Sequence, residues 1–297
     1  MTTWNAETTL AQGLNHVALM SPLDDDLRRE HILERTIGAL LGVALGDALG
    51  LPYEGLSQRR VADASLERYM LVGRTGFVSD DTEQTALIAQ ALARHPSDDR
   101  KVLSAFRRSM VGWFLRLPFG IGLGTLRSCL RMSAGVRRPG VHSAGNGAAM
   151  RAGIIGVRFA FDEERRRSVG REVARLTHTD PRAIEGALFV AEVAAAALRG
   201  GPSAARDTLL AESAHVLEEP ALRDAVASGV DVAARELSLA DASAELGNTG
   251  FIVHTLAICA YCFARDADSP LESIRSAIRV GGDTDTHAAI VGGWLGA

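Results

Sequence analysis

The residues best suited to chemistry lie in two acidic clusters near opposite ends of the chain, Ser79-Asp80-Asp81-Thr82 and Gly281-Gly282-Asp283-Thr284-Asp285-Thr286. If folding brings them together, their four carboxylates and several hydroxyls make an all-oxygen pocket suited to hard divalent cations such as Mg²⁺. Neither cluster has the D-x-D-x-D-G run and later Glu of an EF-hand loop. For either cluster alone, helix capping is the competing reading. Asp80 stands three residues before Glu83 and Asp81 three before Gln84, ahead of the apolar run from Ala86 to Leu92. Asp283 and Asp285 would point about 200° apart on a regular helix, so both can face one ion only at a loop-to-helix junction. Two junctions, each with more carboxylate than a cap needs, favour the metal reading.

Other candidates are weaker one by one. The loop from Met132 to Met150 holds Gly135, Pro139, Gly140, Gly145 and Gly147, with Arg137, Arg138, His142 and Ser143 among them. Such a loop can turn several backbone N–H groups toward a phosphate, and it can equally be a plain connection. His178, just before Pro181 and a helix start, is by itself more often structural than catalytic. Cys259 and Cys262 have C-x-x-C spacing inside the apolar stretch 251–264, with no second pair to complete a zinc site, and read as buried helix packing.

The elements that must position these residues are helical. Strand signals are scarce, and alanine-rich 3.6-residue periodicity predicts an all-α fold with helices near 30–50, 82–94, 99–115, 122–132, 148–160, 163–176, 181–199, 203–215, 220–236, 250–265, 270–279 and 286–296. The first carries glycine at 38, 42, 46 and 50, beside an apolar face of Ile37, Leu40, Leu41, Ala44, Leu45 and Ala48. Four glycines weaken a helix, so close approach by another helix should compensate, and the small residues Ala288, Ala289, Gly292, Gly293 and Gly296 offer a matching surface. A transmembrane GxxxG pair is the competing reading, disfavoured by Asp47 within the first helix. No transmembrane helix is expected.

With 297 residues, 47% of them hydrophobic, the chain can bury a large core. A net charge of −4 gives no electrostatic reason to expect nucleic acid or an anionic membrane as partner, and nearly all the basic charge is arginine, Lys101 being the only lysine. Three cysteines, with no basic segment leading into an apolar run at the N-terminus, suggest a reducing, cytoplasmic setting.

Five stretches, GALLGVALGDALGLPYE (38–54), SDDTEQT (79–85), SAGNGAAMR (143–151), LTHTDPRA (176–183) and GGDTDTHAAIVGGWLG (281–296), together resemble the ADP-ribosylglycohydrolase family. That family includes dinitrogenase-reductase-activating glycohydrolase and the ADP-ribosylarginine hydrolases. The resemblance spans about residues 35–297 and implies a compact all-α domain with a central binuclear metal cleft holding two Mg²⁺, or Mn²⁺, beside bound ADP-ribose. It implies Ser79, Asp80, Asp81, Asp283, Asp285 and Thr286 as metal ligands, with Ser79 where many relatives have threonine. It further implies Glu54 as the residue activating water or substrate, with Asp81 beside it at the catalytic centre. Ser143, Gly145 and Asn146 match the diphosphate and ribose loop, and His178 a residue close to ADP-ribose. The implied activity is hydrolysis of the bond joining ADP-ribose to a protein, foremost at arginine. O-linked or nucleic-acid adducts are the alternatives.

Two departures from the family pattern stand out. The chain stops just after the last motif, where a cleft wall is expected to be shortened, and residues 1–34 precede the first. This extension, with Thr2 to Asn5 and Asp24 to Asp26, reads either as a tail or as an arm that contacts a partner. Certain bacterial members of the family are immunity proteins against ADP-ribosyltransferase toxins, which would make such a toxin a partner.

Overall fold

The computed structural model describes residues 22–71 and 75–297, and among them it contains fourteen α-helices, three 3₁₀ turns and no β-strand. The first seven helices are α1 (Pro22–Gly50), α2 (Gln58–Val61), α3 (Asp80–Arg94), α4 (Asp99–Phe114), α5 (Leu123–Ser133), α6 (Gly153–Arg158) and α7 (Glu163–Arg175). The rest are α8 (Pro181–Gly200), α9 (Arg206–Ser213), α10 (Pro220–Ala234), α11 (Leu239–Leu246), α12 (Ile252–Arg265), α13 (Pro270–Arg279) and α14 (Thr284–Gly296). The all-α expectation holds. Residues Arg35–Ala297 form one compact unit and Met1–Glu34 another. Residues 1–21 of the proposed arm lie outside the described residues, and the remainder begins α1.

The centre of the larger unit is α8, α12 and α14, each apolar nearly all round, the pattern of a helix enclosed by others. α8 buries every residue from Gly186 to Leu198. Trp294 of α14 sits edge-on between Phe189 at 6.2 Å and Phe263 at 5.3 Å, and its indole N–H donates to Val190 O at 3.0 Å. The cysteines of the C-x-x-C stretch are free and buried inside α12.

The glycine stripe of α1 meets α14 in antiparallel register. A Cβ on Gly42 would lie 2.0 Å from Gly292 O, one on Gly46 2.1 Å from Ala288 O, and one on Gly296 2.1 Å from Gly38 O. The two backbones therefore touch, closer than the usual interaxial spacing of about 8–10 Å permits. This contact explains why α1 tolerates four poor helix formers, and it brings the chain after Gly50 to the start of α14, where Thr284 Oγ1 donates to Gly50 O at 2.9 Å.

Asp47, the charge that disfavoured a transmembrane pair, is fully buried within α1. The stretch Leu27–Tyr53 is long and apolar enough to cross a bilayer by length and composition alone, a test that a core helix packed inside a protein also passes. Ala39, Val43, Ala48 and Leu49 in it are at most 6% exposed against the rest of the protein. The helix expected at 148–160 is confined to α6, Gly153–Arg158, preceded by a 3₁₀ turn, Asn146–Ala148, and Arg151 Nη1 between them donates to Gly147 O at 2.7 Å. The unanticipated α11 is short, yet its signals were present: Ser238 Oγ accepts from Asp241 N–H at 3.2 Å, and Gly247 ends it at φ +73°.

Candidate active site

Both acidic clusters sit at helix N-termini, and the structure separates capping from site chemistry at each. At α3 the cap is Ser79, whose Oγ accepts from Asp81 N–H at 3.3 Å. The carboxylates of Asp80 and Asp81 are thereby spared that task. At α14 the N-cap is Asp283, which makes no side-chain cap bond, so its carboxylate is free for the cleft. Two successive left-handed glycines, Gly281 and Gly282 at φ +74° and +78°, make the approach to α14 possible. Gly282 is stitched to the turn after Tyr53 on both sides, Gly282 N–H to Leu56 O and Gly55 N–H to Gly282 O, each 2.8 Å, while Asp283 N–H reaches Asn248 O at 2.9 Å.

The result is a carboxylate cluster. Oxygen atoms of Glu54, Asp283 and Asp285 all lie within 4.8 Å of one another. Asp81 joins it through Oδ2, which accepts from Ser79 Oγ at 3.1 Å and from Thr286 Oγ1 at 3.3 Å. Asp81 Oδ1 is buried with no hydrogen-bond partner. Asp80 accepts from Gln84 Nε2 at 2.8 Å, and Gln84 in turn accepts from Arg151 Nη1 at 2.6 Å. Glu54, Asp80, Asp81, Asp283, Asp285 and Thr286 line one cleft of about 1210 Å³, together with Ser143, Gly145, Asn146 and His178. Ser79 does not line it, and its hydroxyl is turned toward Asp81.

The loop around Ser143 is pinned on both sides. Val141 exchanges backbone hydrogen bonds with Thr177 and Thr179, and the 144–146 stretch does so with Gly250 and Ile252. Asn146 N–H is spent on Gly250 O, and Gly145 N–H points at Ser143 Oγ at 3.4 Å, so these two amides do not form the open nest that the glycine content suggested. Asn146 Nδ2 donates to Asp283 Oδ2 at 2.5 Å and to Thr255 Oγ1 at 3.0 Å, which fixes an acidic oxygen of the cluster. His178 Nδ1 is engaged by Thr177 Oγ1 at 2.9 Å. Its Nε2 faces three glycines: a Cβ would come within 2.9 Å of it at Gly124, 3.5 Å at Gly147 and 3.7 Å at Gly145. Burial, reinforced by Arg151, pushes His178 down to about 3, so it stays neutral at physiological pH.

Two supporting residues were not picked out from sequence. Asp47 accepts from Ser79 N–H at 3.0 Å with both oxygens and from Thr82 N–H at 3.1 Å, tying α1 to the first cluster. Arg151, fully buried, links the 143–151 loop to α3 through Gln84 and to the His178 turn through Thr177. The usable signal was a lone charge in an apolar helix for Asp47, and a lone arginine after the small run Gly145 to Ala149 for Arg151.

The electrostatics of the cluster suit a site that binds a cation. Burial and then Asp285 hold Asp81 well above the usual carboxylate range. Burial and Asp283 do the same for Asp285, and burial and Asp47 for Asp80. Glu54, at the open side of the cleft, is raised by desolvation and by Asp283. Together with the orphaned Asp81 Oδ1, this oxygen-only donor set fits a hard divalent ion. A test follows. Carboxylates raised on folding stabilise the protein fully below about 3.8, and that contribution is lost as pH rises through their folded values. Protons and Mg²⁺ compete for the same oxygens, so added Mg²⁺ should raise Tm by several degrees at pH 8 and by much less at pH 5. Calorimetry showing equal shifts at both pH values would reject these carboxylates as the ion site.

The similarities to known proteins agree with this architecture. The family described as ADP-ribosylglycohydrolase matches residues 28–297. An uncharacterized protein of Archaeoglobus fulgidus is 31% identical over 286 residues, 89% of this chain and 87% of that protein. The ADP-ribosyl-[dinitrogen reductase] glycohydrolase of Rhodospirillum rubrum is 30% identical over 127 residues, covering 40% of this chain and 42% of the relative. Among solved structures, an "ADP-ribosylglycohydrolase-related protein complex" shares 29% identity and a TM-score of 0.68, over 90% of this chain and 88% of that one. With the match running through both acidic helix starts and the loop between them, this chain belongs to the ADP-ribosylglycohydrolase family, hydrolases of ADP-ribose linkages.

Proposed function

We propose that the protein removes ADP-ribose from modified arginine side chains of a protein, in a reaction dependent on two Mg²⁺ or Mn²⁺. The observation that carries this reading is the convergence of Glu54, Asp283 and Asp285 within 4.8 Å, on a cleft also lined by Ser143, Gly145 and His178. Asp80, Asp81, Asp283 and Asp285 would hold the ions, with Thr286 and, through Asp81, Ser79 assisting. Bound there, the cations would supply positive charge that polarises ribose hydroxyls and offsets the crowded carboxylates.

The remaining work falls to the chain. The cleft is roomier than the roughly 300–1,000 Å³ typical of small-molecule sites, which suits a dinucleotide-sized group. Neutral His178 and Ser143 are suited to hydrogen-bond the diphosphate without adding charge, and Asn146 orients Asp283. Hydrolysis passes through an oxocarbenium-like transition state in which water bonds to the anomeric carbon as the C–N bond breaks. Glu54, with its raised pKa, accepts the water's proton. The guanidine nitrogen leaves with the electron pair of the C–N bond and takes up the proton that Glu54 accepted, so that Glu54 returns to its ionised form. Arginine is favoured over serine or a nucleobase because Asp241, a cleft-lining carboxylate outside the ion ligands, can face a cationic leaving group. The Rhodospirillum rubrum relative is likewise named for a protein substrate.

The test is release of free ADP-ribose from arginine-, serine- and nucleotide-linked substrates in the presence of Mg²⁺. Release from arginine is expected; release from serine alone, or full activity after exhaustive chelation, would overturn the reading. In the same assay Glu54→Gln keeps shape and hydrogen bonding but loses the base, and should lower kcat by about 10²–10⁴-fold while ADP-ribose still binds. Unchanged kcat in this variant would remove Glu54 from the chemistry.

A further inference from the structure

One surface feature is unaccounted for by the cleft chemistry. Between α4 and α5 the chain displays Leu115, Leu117 and Phe119 to solvent at 69%, 87% and 61% exposure, and the exposed Phe77 meets Phe119 edge-on at 6.4 Å. Large apolar side chains gathered this way on a water-soluble surface mark contact sites. Leu117 adopts φ +57°, a left-handed conformation that a branched side chain rarely takes, and nothing buried is gained by it. Asn or Gly would relieve that strain.

The position of this patch says what it is for. Phe119 is followed directly by Gly120, where a Cβ would lie 3.3 Å from Asp80 Oδ1, and Gly120, Gly122 and Leu123 line the cleft. The apolar segment is thus the rim beside the acidic cluster, and whatever carries a group into the cleft there must lie against it. Arg116 is the single charge from Leu115 to Leu123. Nucleic acid calls for a basic stripe, which this rim lacks, whereas an apolar rim around a polar site suits a folded protein.

We propose that Leu115, Leu117, Phe119 and Phe77 form the docking surface for the folded protein that bears the ADP-ribosyl group, so that the enzyme prefers protein-borne adducts to free ones. This rests on the hydrolase reading above. The test compares kcat/KM of the wild type with that of Leu117→Asn and of Leu117→Asn/Phe119→Ser on two probes, free ADP-ribosylarginine and ADP-ribosylated dinitrogen reductase. Both positions are exposed and neither lines the cleft, so cleavage of ADP-ribosylarginine should change less than about 2-fold. Cleavage of the protein probe should fall about 10-fold or more in the double variant, through KM. Equal effects on the two probes, or no effect on the protein probe, would overturn the docking role. So would an equal fall on an ADP-ribosylated oligonucleotide. Wild-type protein inactive on both probes would instead overturn the arginine-hydrolase reading itself.

Discussion

Asp283→Asn is expected to abolish the Mg²⁺-dependent rise in Tm and to lower kcat/KM by about 100-fold or more, while helix content stays unchanged. The reason lies in what Asp283 does and does not do locally. Its side chain makes no cap bond, so Asn can take the N-cap position of α14 without loss. Its Oδ2 can still be matched by an amide oxygen accepting from Asn146 Nδ2. What disappears is one negative charge from the cluster of Glu54 and Asp285. Even partners that only orient ligands typically change metal affinity by about 10–100-fold, and a directly coordinating carboxylate should cost more. Relief of like-charge repulsion should leave the metal-free Tm of the variant equal to or above that of the wild type. A lower metal-free Tm, or a preserved Mg²⁺ shift, would show that Asp283 is structural.

Gly42→Ala is the second large effect, and here the damage is to the fold. The added Cβ would sit 2.0 Å from Gly292 O, a backbone atom that cannot rotate away, so α1 and α14 must separate. Overpacking of this kind costs about 3 kcal/mol or more. The same change at Gly112 of α4, where nothing lies within 4 Å, should instead stabilise by about 0.5–1 kcal/mol through helix propensity. Denaturant melts of the pair would reveal opposite signs. Similar gains at both positions would mean that the glycines act through propensity alone. Gly46→Ala carries a further consequence: by moving the end of α1 relative to α14 it should displace Glu54 from Asp283 and lower activity even at temperatures where the variant remains folded.

Residue types and local spacing carried much of this outcome. The 3.6-residue periodicity located most helices because each must bury an apolar stripe. The glycines at every fourth position foretold a close helix contact because a missing Cβ has few other uses in a helix. The separation of Asp283 from Asp285 required a helix start, and the chain makes one there. What spacing could not supply was which atoms of distant segments face each other. Ser79 was read alongside Asp80 and Asp81 as a ligand, and spacing could not show that its hydroxyl also caps α3 and bonds Asp81, an arrangement set by the direction of the α3 N-terminus. Asn146, matched to ribose, also holds Asp283, a residue 137 positions away. Asp47 looked like a flaw in an apolar helix, and its purpose emerged only when Ser79 and Thr82 arrived with their N–H groups. α11 went unseen because eight residues give too weak a period, yet it carries Asp241 to the cleft wall. Thus the sequence by itself determined an all-α chain whose carboxylates sit at helix starts, since propensity, capping and periodicity act over a few residues. The tertiary structure alone decided how those carboxylates converge, because their mutual distances are set by backbone contact between α1 and α14, helices more than two hundred residues apart.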